Sequence, residues 1–139
     1  MKILAIDLGK VRTGIAVCDE SEILSSPVTV IKEHNEARLL NKIMQLIAEY
    51  QPKLLVVGLP RNMDGTEGES AQRCRIFAER LQQCAALPVE MQDERGTTIT
   101  AHSYLNTTDM HSKKRKNVVD AVAATIILQN YLDFRHNKK

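Results

Sequence analysis

Leu54-Leu55-Val56-Val57 places four apolar side chains in succession, and side chains along a strand alternate between its faces, so this segment must be covered on both sides. A parallel strand lying between two layers of helices meets that demand. The flanking segments agree with it. From Glu36 to Tyr50, Leu40, Ile43, Met44 and Ile47 recur at helical spacing, and Pro52 closes the helix. From Glu69 to Gln83, Cys74, Phe77, Ala78 and Leu81 mark a second amphipathic helix, and a short strand is predicted over residues 87–92. The last long helix is predicted from about Val118 to Phe134. Before all of these, residues 2–8, 14–19 and 22–31 read as strands, with Asp19 to Ser21 supplying turn chemistry between the second and third. The pattern predicts an α/β fold: a mixed five-stranded sheet that opens with an antiparallel N-terminal meander and carries helices on both faces.

A chain of 139 residues, 43% of them hydrophobic, forms one domain over residues 1–139 and can bury a core without metals or disulfides. Cys18, Cys74 and Cys84 are odd in number and have no short paired spacing, which argues against a zinc site or disulfide framework and for a reducing, cytoplasmic setting. The apolar run after Lys2 meets Asp7 too soon to be a signal peptide or a membrane span. The net charge of +2 announces no partner by itself. Its distribution is more informative: Lys113, Lys114, Arg115 and Lys116 form one basic run, and Arg135, His136, Lys138 and Lys139 form a basic tail. A solvated loop and a frayed terminus are the competing readings of these two runs.

Asp7 interrupts the buried strand of Ile3, Leu4, Ala5 and Ile6. A carboxylate there must be paired, neutralised or bound to a metal, unless it merely solvates the end of an edge strand. Gly9, Arg12, Gly14 and Ala16 follow it, giving a glycine-lined corner that can admit a phosphate. A second place of interest is the polar loop Gly58 to Gly68, which leaves the carboxyl end of a buried strand, where α/β sheets commonly bind ligands. Asn62, Asp64 and Gly65 belong to this expected mobile loop, although Asp-Gly is also a common turn pair. The third is Asp93-Glu94-Arg95, which ends the strand around Val89 and Met91; alternation sets Asp93 and Glu94 on opposite faces without choosing between them. The fourth is Asp120, which shares a helical face with Ala123, Ala124 and Ile127. If the helix starts at Asn117, Asp120 is instead a first-turn acid that favours the helix dipole.

Acids from a first strand, a later strand end and a final helix suit divalent metal ions held against a phosphodiester. Two ions about 3.5–4 Å apart can activate water and stabilise the leaving oxygen, and hard carboxylate ligands point to Mg²⁺ or Mn²⁺.

The segments Asp7 to Val17, Gly58 to Glu67, Asp93 to Arg95 and Val119 to Ala124 resemble the four successive motifs of the bacterial YqgF family, also called RuvX-type proteins. They occur in the family's order and cover nearly the whole chain. The resemblance implies a ribonuclease H-like fold and a metal-dependent nuclease that matures the 5′ end of precursor 16S ribosomal RNA, with Asp7, Glu94 and Asp120 as the metal-binding acids. One departure is Gly96, where members commonly carry leucine after the Asp-Glu-Arg triplet. The expected partner is precursor ribosomal RNA, free or within a ribosomal particle, with no membrane; the sequence leaves the oligomeric state open. Arg12, Lys113, Lys114, Arg115 and Lys116 are the expected phosphate contacts, with Arg12 alternatively a structural partner for a neighbouring acid. The competing functions are a Holliday junction resolvase acting on DNA and a non-catalytic nucleic-acid-binding factor in transcription. An ATPase of the actin and sugar-kinase type is disfavoured, because that fold needs two such domains.

Overall fold

The computed structural model describes residues 1–62, 64–93 and 112–137, with side chains in the last segment described from residue 122 onward. The three strands β1 (Ile3–Asp7), β2 (Arg12–Cys18) and β3 (Ser25–Lys32) form the expected meander. They are followed by α1 (Glu36–Tyr50), β4 (Leu54–Leu59), α2 (Glu69–Ala85), β5 (Val89–Asp93) and α3 (Ser112–Asn137). The sheet order is β3-β2-β1-β4-β5, with β1, β4 and β5 parallel to one another and β2 antiparallel to both its neighbours.

Placing β1 and β4 at the centre explains why these strands are the most apolar. Every residue from Leu54 to Leu59 is buried, as are Ile3 to Ile6. Alternation divides them between two cores. Leu4, Ile6, Leu55 and Val57 pack with Ile15 and Ile31 against Leu39, Ile43 and Ile47 of α1 and Cys74, Phe77 and Leu81 of α2. Ile3, Ala5, Leu54 and Val56 pack with Ala16 and Cys18 against Ala124, Ile127, Leu128, Tyr131 and Leu132 of α3. Among the described residues, the sheet is therefore covered by two helices on one face and one on the other.

Local signals set most of the element ends. Asn35 caps α1 by accepting from the Arg38 N–H at 3.0 Å. Gln51 ends α1 in the left-handed region, and Ala86 does the same for α2. Within α1 the buried stripe is Leu39, Ile43 and Ile47, while Leu40 and Met44 of the predicted stripe are only partly buried. The larger difference is in α3, which starts at Ser112 and not near Val118. Lys and Arg are good helix formers, and no Gly or Pro lies between Ser112 and Asn137, so the basic run continues the helix without any apolar periodicity to reveal it. Residues 113–116 are helical and not loop, and Asp120 lies in the third turn of α3, so it is not a first-turn acid.

One cluster ties three elements together at the end of the sheet opposite Asp7. Glu22, in the β2–β3 turn, adopts the left-handed φ of 57° that costs a non-glycine residue energy. Its carboxylate accepts from Arg135 Nε of α3 at 2.8 Å and from the Met1 amino group at 3.0 Å. Burial pushes the Glu22 carboxyl upward, but the hydrogen bonds and charges of Arg135 and Met1 outweigh it and hold the group below its usual range. Stability from a depressed carboxyl is present above its unfolded pKa and is lost as pH falls through the folded value. Glu22→Gln is thus expected to lower the melting temperature at pH 7, with the gap to wild type closing as pH falls below about 4.3. Melting curves from pH 7 to pH 3 check this, and a gap independent of pH would refute the assignment.

Candidate active site

Asp7 is the last residue of β1 and, by alternation from Ile3 and Ala5, lies on the face covered by α3. Its immediate surroundings on that face are set by strand register. On β2 its cross-strand partner is Gly14, and beyond Gly14 stands Val30 of β3. On the other side Ile6 pairs with Val57, so continuing the register by one residue brings Gly58 beside Asp7. Gly58 and Gly14 are both buried. The Asp7 carboxylate is therefore flanked on both neighbouring strands by positions without a side chain.

The direction of α3 brings position 120 toward the carboxyl end of β1. Arg135, near the end of α3, bonds Glu22 below the start of β1, and further up the helix the Thr125 carbonyl accepts from Ser25 Oγ at 2.8 Å. From these contacts α3 runs opposite to β1, with its earlier turns toward the carboxyl end of that strand. The 15 residues from Asp120 to Arg135 make about 22 Å of helix, comparable with the roughly 20 Å of strand from Met1 to Asp7. Position 120 also lies on the stripe of Ala124, Ile127 and Tyr131, which is the stripe buried against the sheet. Ala123 and Ala124 are buried small residues, which permits close approach of helix to sheet.

Glu94 lies outside the described residues. Its neighbour Asp93 ends β5 opposite Leu59. By alternation Asp93 shares the α2 face with Met91, away from Asp7, and its carboxylate stands 4.0 Å from Arg61 Nη1. Among the described residues no three His, Cys, Asp or Glu side chains form a metal-binding group.

The Gly58 to Gly68 loop is internally bonded. Asp64 Oδ1 accepts from the Thr66 N–H at 3.0 Å and from Thr66 Oγ1 at 2.7 Å, and Asn62 Nδ2 donates to Thr66 Oγ1 at 2.9 Å. Gly65 takes a φ of 91°, which its lack of a side chain permits. Asn62, Asp64 and Gly65 thus build the turn itself. Glu67 anchors its far end through a two-pronged contact with Arg75 of α2, at 2.7 and 2.8 Å, and this holds the Glu67 carboxyl below its usual range.

The β1–β2 loop is fixed as well. A Cβ on Gly9 would lie 2.0 Å from the Arg12 carbonyl oxygen, so only glycine allows the chain to close there, and the Gly9 carbonyl accepts from Arg73 Nη1 of α2 at 3.1 Å. Arg12 opens β2 on the same face as Gly14 and Ala16, the face of Asp7. Residues 113–116 carry α3 about another 6–10 Å beyond position 120. Sequence reasoning missed the glycine on either side of Asp7 as a unit, because Gly14 and Gly58 become its neighbours only through strand register.

This sheet order, with a carboxylate at the end of its central strand and a final helix crossing the same face, is that of the ribonuclease H-like fold. The Thermus thermophilus RuvC chain in complex with Holliday junction substrate shares the fold, with a TM-score of 0.63 at 14% identity, over 99% of this chain and 96% of that one. The fowlpox virus resolvase bound to Holliday junction DNA gives a TM-score of 0.58 at 12% identity, over 97% and 99%. The chain belongs to the RuvX family, whose model, described as Holliday junction resolvase, matches residues 1–134. A Thermoanaerobacter pseudethanolicus protein named "Putative pre-16S rRNA nuclease" is 39% identical over 139 residues, covering 99% of this chain and all of that one. An Anaeromyxobacter protein (strain K) of the same name is 43% identical over 135 residues, covering 97% and 98%. Family and fold together make this chain a nuclease, a hydrolase of phosphodiester bonds. Among the described residues no helix is long and apolar enough to cross a membrane.

If the space beside Asp7 admits the reacting phosphate, filling it should impair cleavage in proportion to the group added. Gly58→Ala and then Gly58→Val are expected to lower specific activity in that order, by about tenfold or more for valine, with the circular dichroism spectrum unchanged. Wild-type activity in the valine variant would show that the space is not used.

Proposed function

We propose that the chain is an Mg²⁺- or Mn²⁺-dependent nuclease that matures the 5′ end of precursor 16S ribosomal RNA, with Asp7, Glu94 and Asp120 as its metal-binding acids. The observation that carries this reading is Asp7, placed at the end of the central strand between two glycine positions and facing the helix that bears Asp120. The donor chemistry fits: three carboxylates are hard oxygen ligands that suit Mg²⁺ or Mn²⁺ and leave coordination positions for water and phosphate. Bound ions would supply activation of the attacking water and neutralisation of charge at the scissile phosphate.

The protein's own part is positioning. Asp7 is held by a strand paired on both sides, so its backbone cannot retreat from the site. Asp120 approaches on a separate element, and Glu94 follows directly after β5, so the three acids come from three different parts of the sheet and its cover. Arg12 and Lys113 to Lys116 contact substrate phosphates through their positive charge. The names of the two relatives support the RNA substrate. The description of the family supports a second reading, a resolvase of four-way DNA junctions using the same acids.

A direct comparison tests both readings. Purified protein is given a precursor 5′-leader RNA and a four-way DNA junction, each with Mg²⁺ and with Mn²⁺. Cleavage of the RNA with the junction intact is expected; the opposite pattern would establish the resolvase, and cleavage of neither would leave a binding factor.

The ligand assignment has its own test in thermal unfolding. Mn²⁺ at a hundredfold excess over its dissociation constant should stabilise wild type by about 2.7 kcal/mol. Asp7→Asn and Asp120→Asn should each lose most of that response together with cleavage. An undiminished response in both variants would remove these two residues from the ligand set.

A further inference from the structure

The loop Leu8 to Val11 carries the chain over the carboxyl end of the sheet and joins Asp7, the last residue of β1, to Arg12, the first of β2. Strand pairing sets the two ends of this loop: Asp7 stands opposite Gly14, and Arg12 opposite Lys32. Between them the loop is held at successive points. Leu8 is buried in the larger core, the Gly9 carbonyl accepts from Arg73 Nη1 at 3.1 Å, and the Val11 carbonyl accepts from the Glu33 N–H at 2.8 Å. The chain folds back so closely that a Cβ on Gly9 would meet the Arg12 carbonyl oxygen at 2.0 Å. A shift of Gly9 is therefore passed directly to the backbone of Arg12.

Arg73 reaches this loop from outside the β1–β2–β3 meander. It stands in the second turn of α2, the helix that covers the face of the sheet opposite Asp7. Other arginines of that helix are used differently: Arg75 meets Glu67 at 2.7 Å and Arg80 meets Glu36 at 2.6 Å. Arg73 is half-buried, and among the described residues it has no ion pair and donates to a neutral carbonyl. Taking a cation from water without a carboxylate is costly, whereas a hydrogen bond from a charged donor is stronger than a neutral one. Because a peptide unit is planar, fixing the Gly9 carbonyl fixes the whole Gly9–Lys10 peptide, two residues from Asp7.

We propose that Arg73 is a positioning residue for cleavage at Asp7: through the Gly9 carbonyl it holds the loop between Asp7 and Arg12, so that both keep their places when the phosphodiester binds. This rests on the nuclease reading above and adds to it a residue that works from behind the site. Coming from the opposite face of the sheet, Arg73 touches neither the substrate nor the reacting atoms. The leverage of such a contact is large, since a misplacement of about 1 Å can cost about 100-fold in rate. Contacts that orient metal ligands from outside are worth about 10- to 100-fold in metal affinity or activity.

The experiment compares three variants with wild type. Arg73→Met keeps the apolar stem and removes the donors, Arg73→Lys keeps a cation that can donate to the carbonyl, and Arg80→Met removes the arginine about 10 Å further along the same side of α2. Cleavage is followed with Mn²⁺ on whichever of the leader RNA and the four-way junction wild type cuts, below the melting temperature of every variant. Arg73→Met is expected to lower kcat about tenfold or more with KM near that of wild type. It should also raise, by a similar factor, the Mn²⁺ concentration needed for a given rise in melting temperature. Arg73→Lys should recover most of both, and Arg80→Met should match wild type in both. A bond that only stabilises the fold would lower the melting temperature in EDTA but leave kcat and the Mn²⁺ response of Arg73→Met at wild-type values. That result overturns the positioning role and spares the nuclease reading. Should Arg73→Met fail to fold, Arg73→Gln, too short to reach the carbonyl, is judged by the same two outcomes. Cleavage of neither probe by wild type overturns the nuclease reading and the role of Arg73 with it.

Discussion

The structure depends on β1 being a central strand buried on both faces that ends in a charge. Four buried apolar residues, Ile3 to Ile6, fix the strand between β2 and β4 and beneath helices on either side. Asp7 then emerges where the covering ends. A carboxylate cannot be buried there without compensation, and it cannot move away without breaking a paired strand. The fold thus keeps an acid at the border between core and solvent, which is where a cation and a phosphate can both reach it.

The two faces of the sheet divide the work. On one, α1 and α2 bury Phe77, Leu81 and Ile43 in the larger core, and α2 also anchors both loops at the carboxyl edge, through Arg73 to Gly9 and Arg75 to Glu67. On the other, α3 packs through small residues and brings its early turns toward Asp7. Stability rests more on the first face, where the larger core lies, and Asp7 stands on the second. At the far edge, Glu22 joins the β2–β3 turn to α3 and the start of β1, which sets the direction in which α3 crosses.

The polar loop after β4 has a similar logic. Its side chains satisfy one another, with Asp64 and Asn62 both directed to Thr66, and Arg61 reaches toward Glu67 and Asp93. That arrangement ties Asp93 to the loop on the α2 face.

Much of this was legible in the residues alone. The bounds of α1, the buried character of β4, the meander and the four motifs each depend on neighbours within a few positions, because helix periodicity, strand alternation and turn chemistry are local. The motifs likewise carried the family. The start of α3 was not legible, since Lys113 to Lys116 favour a helix by propensity but have no apolar periodicity to announce it. Tertiary structure alone decided that Gly14 and Gly58 flank Asp7, that Arg12 faces Lys32, and that Asp93 turns toward Arg61. Each of these depends on strand register and sheet order, which bring together residues far apart in the chain, and a shift of one residue would reverse the face on which every one of them lies.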